Sequence, residues 1–324
     1  MSKSEYILQV ENLQTYFPVK KGRQHGFVRA VDGVSFKVRH GETVGLVGES
    51  GCGKSTIGRT IMRFNNPTGG KMLFDGDDIT SCDMDPYRKR MQMVFQDPYS
   101  SLNPRMSIGE IVGEPLDIQF PKMNPKERQE RILEQIQLVG LNSEHLSRFP
   151  HEFSGGQRQR ISIARSMVIK PEFMVLDEPV SALDVSIQAQ IINMLMDLQQ
   201  QMGLAYLFIA HDLAVVRHIS QQVVVMYLGH VMEINESEDL YKRPLHPYTK
   251  ALLSAIPVPD PNTSRTRRRE ILQGDVPSPI NPPKGCVFST RCRYATEECR
   301  SVLPKVEEVT PGHLVACHHY KEIN

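Results

Sequence analysis

Gly48-Glu49-Ser50-Gly51-Cys52-Gly53-Lys54-Ser55 is the stretch on which the reading of this chain turns. It fits G-x-x-x-x-G-K-S/T, a loop that wraps a phosphate. The anion explains each residue type. Glycines let the backbone approach a phosphate without side-chain clashes. Successive N–H groups, and the start of the helix that follows, then point at the negative charge. Lys54 adds a positive charge near the β- and γ-phosphates, and the Ser55 hydroxyl is placed to ligate Mg²⁺. Both flanks agree. Thr43-Val44-Gly45-Leu46-Val47 reads as a buried strand, and Ile57 to Met62 continues as helix. A glycine-rich turn that binds nothing needs neither flank. The nucleotide-contacting set is therefore Gly48, Glu49, Ser50, Gly51, Cys52, Gly53, Lys54, Ser55 and Thr56. Cys52 sits at a variable position of the loop and has no chemical role of its own.

Phe173-Met174-Val175-Leu176 is an uncharged run ending in Asp177-Glu178. An acid at the end of a buried strand can hold Mg²⁺. A second carboxylate beside it can polarise an attacking water. Many strands end in acids; after a phosphate loop the pattern gains meaning. Elsewhere, Val34, Phe36 and Val38 alternate with polar residues, the period of a half-buried strand. Short strands are expected within 6–13 and 28–47, at 91–95, 204–210 and 223–227, with helices over 125–139 and 186–202 and a helical stretch at about 97–166. Buried strands alternating with helices indicate an α/β fold with a mostly parallel sheet covered on both faces.

The charges nearly cancel, with 38 Lys+Arg against 37 Asp+Glu. That argues against a surface that coats nucleic acid, which needs a basic excess. No stretch reaches the roughly 18 apolar residues of a membrane span, and the first residues lack a signal-peptide pattern. A soluble, cytosolic chain is expected, with any membrane role exerted through a partner. After residue 256, prolines at 257, 259, 261, 277, 279, 282 and 283 mark a loop-rich extension. Its basic run at 265–269 reads as a solvated loop. Four of the six cysteines, Cys286, Cys292, Cys299 and Cys317, fall in this tail. Their spacing, C-x5-C-x6-C-x17-C, differs from the C-x2-C pairs of zinc ribbons. Four thiolates can hold an iron–sulfur cluster or zinc, or remain free thiols.

Phe153-Ser154-Gly155-Gly156-Gln157 resembles the signature of the ABC-transporter ATPases, usually LSGGQ, with an apolar swap at its first position. It lies 23 residues before Asp177, the order that family requires. The resemblance covers about residues 5–255 and implies residue roles. Gln96 is similar to the Q-loop glutamine, which senses Mg²⁺ and contacts the membrane subunit. Asp177 and Ser55 would join it around Mg²⁺, and Glu178 would be the catalytic base. Ser181-Ala182-Leu183-Asp184 resembles the D-loop, and His211 the switch histidine. Phe17, with Tyr16 as rival, would stack on adenine.

The implied fold is a RecA-like ABC core with an antiparallel β subdomain and an inserted helical subdomain at about 97–166, the whole filling 1–256, followed by a Cys-rich extension at 257–324. The implied mechanism pairs two such subunits around two ATPs. Each ATP lies between one subunit's phosphate loop and the other's Ser154, Gly155, Gly156 and Gln157.

The tail narrows the resemblance. His246-Pro-Tyr-Thr-Lys-Ala-Leu-Leu253, Gly274-Asp-Val-Pro-Ser-Pro279, Gly285-Cys286 and Asp97-Pro98-Tyr99-Ser100-Ser101-Leu102-Asn103-Pro104 resemble the di- and oligopeptide importer ATPases. That group includes nickel and other solute importers, and members with a similar tail carry a 4Fe-4S cluster. It implies a second ATPase subunit, two transmembrane permease subunits, an extracytoplasmic peptide-binding protein and a place at the cytoplasmic face of the membrane. Soluble ABC ATPases of DNA repair or translation are the other class. The former need long coiled coils between loop and signature, yet only 98 residues separate Ser55 from Ser154. The latter carry two cassettes, whereas this chain has one loop and one signature.

Overall fold

The computed structural model describes residues 4–21, 24–256 and 272–323. The chain divides into two compact units, one of residues 1–39, 43–82 and 209–324, the other of 40–42 and 83–208.

The first unit opens with β1 (Tyr6–Lys21) and β2 (Gln24–Arg39), antiparallel strands of 16 residues each. They run far beyond the short strands expected from the sequence. Register shifts at Tyr6/Leu8, Val10/Leu13, Leu13/Gln14 and Thr15/Tyr16 explain why. Each irregularity breaks the two-residue alternation that makes a strand legible. β3 (Thr43–Val47) is buried throughout and leads toward α1 (Lys54–Ile61). β4 (Gly69–Phe74) and β5 (Asp77–Asp78) complete an antiparallel sheet in the order β2-β1-β4-β5. Leu8, Val10, Leu13, Val34, Val38, Met72 and Phe74 form its buried side.

In the second unit, β6 (Met91–Val94) is followed by α2 (Pro98–Ser101), α3 (Ile108–Gln119), α4 (Pro125–Leu138) and α5 (Gly155–Met167). Short 3-10 turns at Ser143–Ser147 and Pro150–Glu152 join the last two. The helical stretch therefore stands where the sequence placed it. Its starts are chemically defined: Ser107 and Glu110 form a capping box on α3, and Asn124 caps α4 with Pro125 at its first position. β7 (Phe173–Asp177) pairs in parallel with β6, Met91 opposite Phe173 and Val94 opposite Leu176. After α6 (Val185–Met202), β8 (Ala205–Ile209) lies on the other side of β7. β7 and β8 are buried on both faces, as continuous apolar runs in parallel sheets are.

The chain then returns to the first unit through α7 (Leu213–Ile219), β9 (Gln222–Tyr227), β10 (His230–Glu236), α8 (Ser237–Lys242) and α9 (Pro247–Ser254). β9 is parallel to β3, and β10 folds back on β9. The tail adds α10 (Glu297–Ser301), β11 (Glu307–Thr310), β12 (His313–Val315) and α11 (Tyr320–Ile323). β12 pairs with β10, giving the run β11-β12-β10-β9-β3. Fully buried Glu233 fastens this junction, accepting hydrogen bonds from the Leu245 and His246 amides and meeting His313 Nε2 at 2.8 Å. The tail thus adds strands to the sheet that carries β3, instead of standing off as loops. The basic run at 265–269 and the prolines at 257, 259 and 261 lie outside the described residues. Among the described residues, no helix is long and apolar enough to cross a membrane.

Candidate functional site

The phosphate loop leaves β3 and turns through three glycines with positive φ: Gly48 at 153°, Gly51 at 79° and Gly53 at 105°. Two of them are also required by space. A Cβ on Gly48 would stand 2.2 Å from the Met226 carbonyl oxygen, and one on Gly53 would stand 2.1 Å from that of Ala30. β9 and β2 therefore press on the loop and leave no room for larger residues. Lys54 opens α1 and is buried. Its Nζ donates to the carbonyls of Gly48 (2.7 Å) and Glu49 (3.1 Å), so the ammonium curls over the loop's interior. No acidic residue lies in the first turn of α1, which keeps the helix N-terminus attractive to an anion. Ser55 and Thr56 follow on the same helix. Cys52 is buried, its carbonyl accepts from the Gly229 amide at 2.9 Å, and burial pushes its thiol pKa up.

The second unit holds a carboxylate centre. Asp177 ends β7 and is fully buried. Glu178 follows with φ at 46°, the left-handed region that residues with a Cβ seldom enter. Such backbone persists where surrounding structure enforces it, and it clusters at functional sites. Here the Glu178 carbonyl accepts from the Ser181 hydroxyl at 3.1 Å, and its carboxylate accepts from Gln96 Nε2 at 3.0 Å. Two of the residues singled out in the sequence, 82 positions apart, are thus in direct contact.

The signature residues start α5. Ser154 is its N-cap, and Ser154 and Gln157 exchange capping-box bonds of 3.0 and 3.3 Å. Phe153 is buried, which explains the apolar preference at that position. A Cβ on Gly156 would meet Ile187 at 2.5 Å, so α5 packs directly against α6. Ser154 and Gly155 remain exposed, with their face open. Asp184, also exposed, is the N-cap residue of α6.

The remaining predicted residues lie elsewhere in the first unit. Phe17 is 37% exposed on β1, whereas Tyr16 is tied down: its hydroxyl donates to Asp32 at 2.6 Å and Arg29 lies over its ring. Burial and the Asp32 bond push the Tyr16 pKa up to about 12. His211 occupies the link after β8, one residue before Asp212, which caps α7. Cys286, Cys292, Cys299 and Cys317 all line one small cavity of about 20 Å³, together with His246 and Phe288. Burial pushes the Cys286 thiol up to about 12 and the Cys317 thiol up to about 11. Among the described residues, no three His, Cys, Asp or Glu side chains gather closely enough to hold a single metal ion.

Sequence reasoning missed two residues that grip Glu49. The Tyr248 hydroxyl accepts the Glu49 amide at 2.9 Å from 199 positions away, and Arg291 donates to the Glu49 carboxylate at 2.6 Å. Tyr248 was legible only as part of the quoted His246-to-Leu253 stretch, and Arg291 only as a neighbour of Cys292. Nothing local in either stretch indicates a partner in the phosphate loop.

Residues 31–181 match the family model described as ABC transporter, and residues 232–299 that described as oligopeptide/dipeptide transporter, C-terminal region. The putative oligopeptide transport ATP-binding protein YkfD of Bacillus subtilis is 53% identical, over 97% of this chain and 96% of its own length. Oligopeptide transport ATP-binding protein OppF of Salmonella typhimurium is 49% identical, over 98% and 97% respectively. Among solved structures, the dimeric ATP-binding cassette MJ0796 bound to ADP and Pi superposes with a TM-score of 0.64 at 27% identity, over 71% of this chain and 98% of that one. CbiO1 of Clostridium perfringens superposes with a TM-score of 0.65 at 26% identity, over 74% and 92%. With the phosphate loop, carboxylate centre and signature helix in place, this likeness over nearly the whole length establishes that the chain is an ATPase of the ABC transporter family.

Proposed function

We propose that the chain is one of two ATPase subunits that power import of di- and oligopeptides through a membrane ABC transporter. The observation that carries this is the full-length likeness to oligopeptide transport ATP-binding proteins, joined to a tail of the oligopeptide/dipeptide type.

The residue roles follow from charge and position. Gly48 to Thr56 cradle the phosphates, with Lys54 leaving the Gly48 and Glu49 carbonyls to meet the β- and γ-oxygens. Ser55, Asp177 and Gln96 serve Mg²⁺. Glu178 takes a proton from the water that attacks the γ-phosphorus; the bond to the ADP oxygen breaks and phosphate leaves. His211 orients the γ-phosphate and water. Phe17 stacks on adenine, a role supported by its exposure and by the engagement of Tyr16 with Asp32 and Arg29. Ser154, Gly155, Gly156 and Gln157 act on the ATP of the other subunit, with Asp184 beside them. The open face of Ser154 and Gly155 supports that assignment. Residues 1–256 form the ATPase domain, with its helical insert at about 97–166, and 257–324 the Cys-rich extension.

The subunit works at the cytoplasmic face of the membrane. It pairs with an identical or related ATPase and docks on two permease subunits, fed by an extracytoplasmic peptide-binding protein. ATP binding closes the ATPase pair and hydrolysis reopens it. The test is reconstitution: the ATPase pair and its co-purifying membrane subunits in liposomes should take up labelled di- and oligopeptides with ATP. Uptake of nickel alone, or co-purification with ribosomes and no membrane protein, contradicts the reading.

The tail cysteines would hold a 4Fe-4S cluster. Four soft thiol donors around one cavity fit iron–sulfur chemistry, and a single zinc would need its donors drawn closer together. When bound, such a cluster supplies electron-transfer or structural cross-linking capacity. Anaerobic purification should yield brown protein with iron and sulfide bound; a colourless protein holding one zinc contradicts it.

A further inference from the structure

Glu49 poses an electrostatic problem. It is the second residue of the phosphate loop, and its carboxylate is a negative charge in a segment built to receive a polyanion. Its own carbonyl helps hold Lys54 at 3.1 Å, so its backbone lines the same concavity. Like charges this close disfavour binding unless one is compensated.

The compensation comes from the tail. Arg291 Nη1 reaches the Glu49 carboxylate at 2.6 Å and the Tyr227 hydroxyl at 3.4 Å, and the guanidinium lies over the Tyr227 ring. The Arg291 side chain is only 9% exposed and that of Glu49 26%, so the pair is shielded from water and little screened by salt. Tyr248, itself fully buried, holds the amide of the same residue. Tyr227 packs edge to face against Tyr248 and Phe288, which tilt against each other, with centroids 4.9 to 5.3 Å apart, and the three rings fix the base from which Arg291 projects. Residue 49 is therefore gripped at its carboxylate by one C-terminal side chain and at its amide by another.

We propose that Arg291 is a positioning residue for the ATP site: it neutralises Glu49 and draws its carboxylate away from the incoming triphosphate. The cassette's phosphate loop is then completed by a residue of the C-terminal extension. This rests on the reading of Gly48 to Thr56 as the nucleotide loop. Removing Arg291 should leave a lone carboxylate beside the phosphates and weaken ATP more than ADP, because ADP carries less charge. Removing Glu49 as well should restore binding, which a purely architectural Arg291 would not allow.

The experiment measures Mg·ATP and Mg·ADP affinity by calorimetry on the full chain, for the native protein, Arg291→Met, Glu49→Gln, the double variant and Lys54→Ala. Truncating one member of a shielded charge pair has a sizeable effect. We expect Arg291→Met to weaken ATP about tenfold, a factor of 1.4 kcal/mol, and ADP less. The double variant, which leaves no lone charge, should bind ATP within about threefold of native, or roughly 0.65 kcal/mol, even if Arg291→Met alone cannot be purified folded. Native affinity in Arg291→Met, or a double variant as weak as the single, overturns the proposal. If Lys54→Ala binds ATP as tightly as native, the loop assignment itself fails; loss in Lys54→Ala with no effect of Arg291→Met sinks only the role of Arg291.

Discussion

The side-chain amide of Gln96 donates a hydrogen bond to the carboxylate of Glu178 at 3.0 Å. Gln96 lies two residues after β6 and two before α2, where the strand hands over to the helical stretch. A shift of those helices would therefore be felt at Glu178, the carboxylate we propose handles the attacking water. A hydrogen bond to a charged group is worth about 1.5–3 kcal/mol. Gln96→Ala should leave ATP affinity within a few-fold of native while lowering peptide-stimulated ATPase activity roughly tenfold, about 1.4 kcal/mol of barrier. Steady-state ATPase assays with and without peptide read this; unchanged stimulation removes Gln96 from the coupling.

Lys54→Ala should abolish ATP binding. The Nζ held by Gly48 and Glu49 is the buried cation of the loop, and no other side chain of the Gly48–Thr56 stretch carries a positive charge. Equilibrium binding of a fluorescent ATP analogue measures it. Full ATPase activity in the reconstituted transporter would refute the site.

Ser154 should meet the ATP of the other subunit. A short photo-crosslinker on Ser154→Cys should therefore reach the partner copy's phosphate loop, and only with ATP present. The substitution also removes the α5 cap, worth about 1 kcal/mol, which a folded helix held by buried Ile161, Ile163 and Met167 can absorb. Crosslinks confined to the same chain contradict the proposed sandwich.

Acid should loosen the junction between core and tail. His246 is fully buried, and burial holds its pKa down at about 4, against an ordinary value of 6.5. Its Nδ1 accepts the Tyr248 amide at 3.0 Å, so protonation there would break the N-cap of α9. The sign follows. Between pH 6.5 and about 4 the unfolded chain binds a proton that the folded chain refuses, so stability falls as pH drops through that window and is unaffected by this group above it. The full gap corresponds to on the order of 3 kcal/mol. Denaturant melts of metal-free protein at pH 7.5, 6 and 5 should show the loss, and His246→Asn, which can still cap, should flatten it. An equal slope in both proteins assigns the acid sensitivity elsewhere.

Much of the site could be read from the sequence because its chemistry is local. Gly48 to Ser55 forms one contiguous loop between a strand and a helix, Asp177-Glu178 ends an apolar run, and Ser154 and Gln157 form a capping box three residues apart. What escaped is non-local. The β1–β2 hairpin is hidden by its bulges, and β11 and β12 are short strands, of which β12 pairs with β10 beside the buried hydrogen bond between Glu233 and His313. The grip of Tyr248 and Arg291 on Glu49 spans 199 and 242 positions, distances at which no periodicity or spacing carries a signal.

If Glu178 is the base of the ATPase cycle, Glu178→Gln should stop hydrolysis while sparing nucleotide binding. The amide keeps the shape of the carboxylate and removes its charge and basicity. General-base assistance is typically worth about 10²–10⁴ in rate. Single-turnover hydrolysis, measured with the partner's equivalent glutamate also neutralised, should slow by that order while ATP affinity stays within about threefold, roughly 0.65 kcal/mol. Bound ATP should then hold the two ATPase subunits together on a sizing column. Hydrolysis at the native rate in that doubly substituted pair would contradict the account.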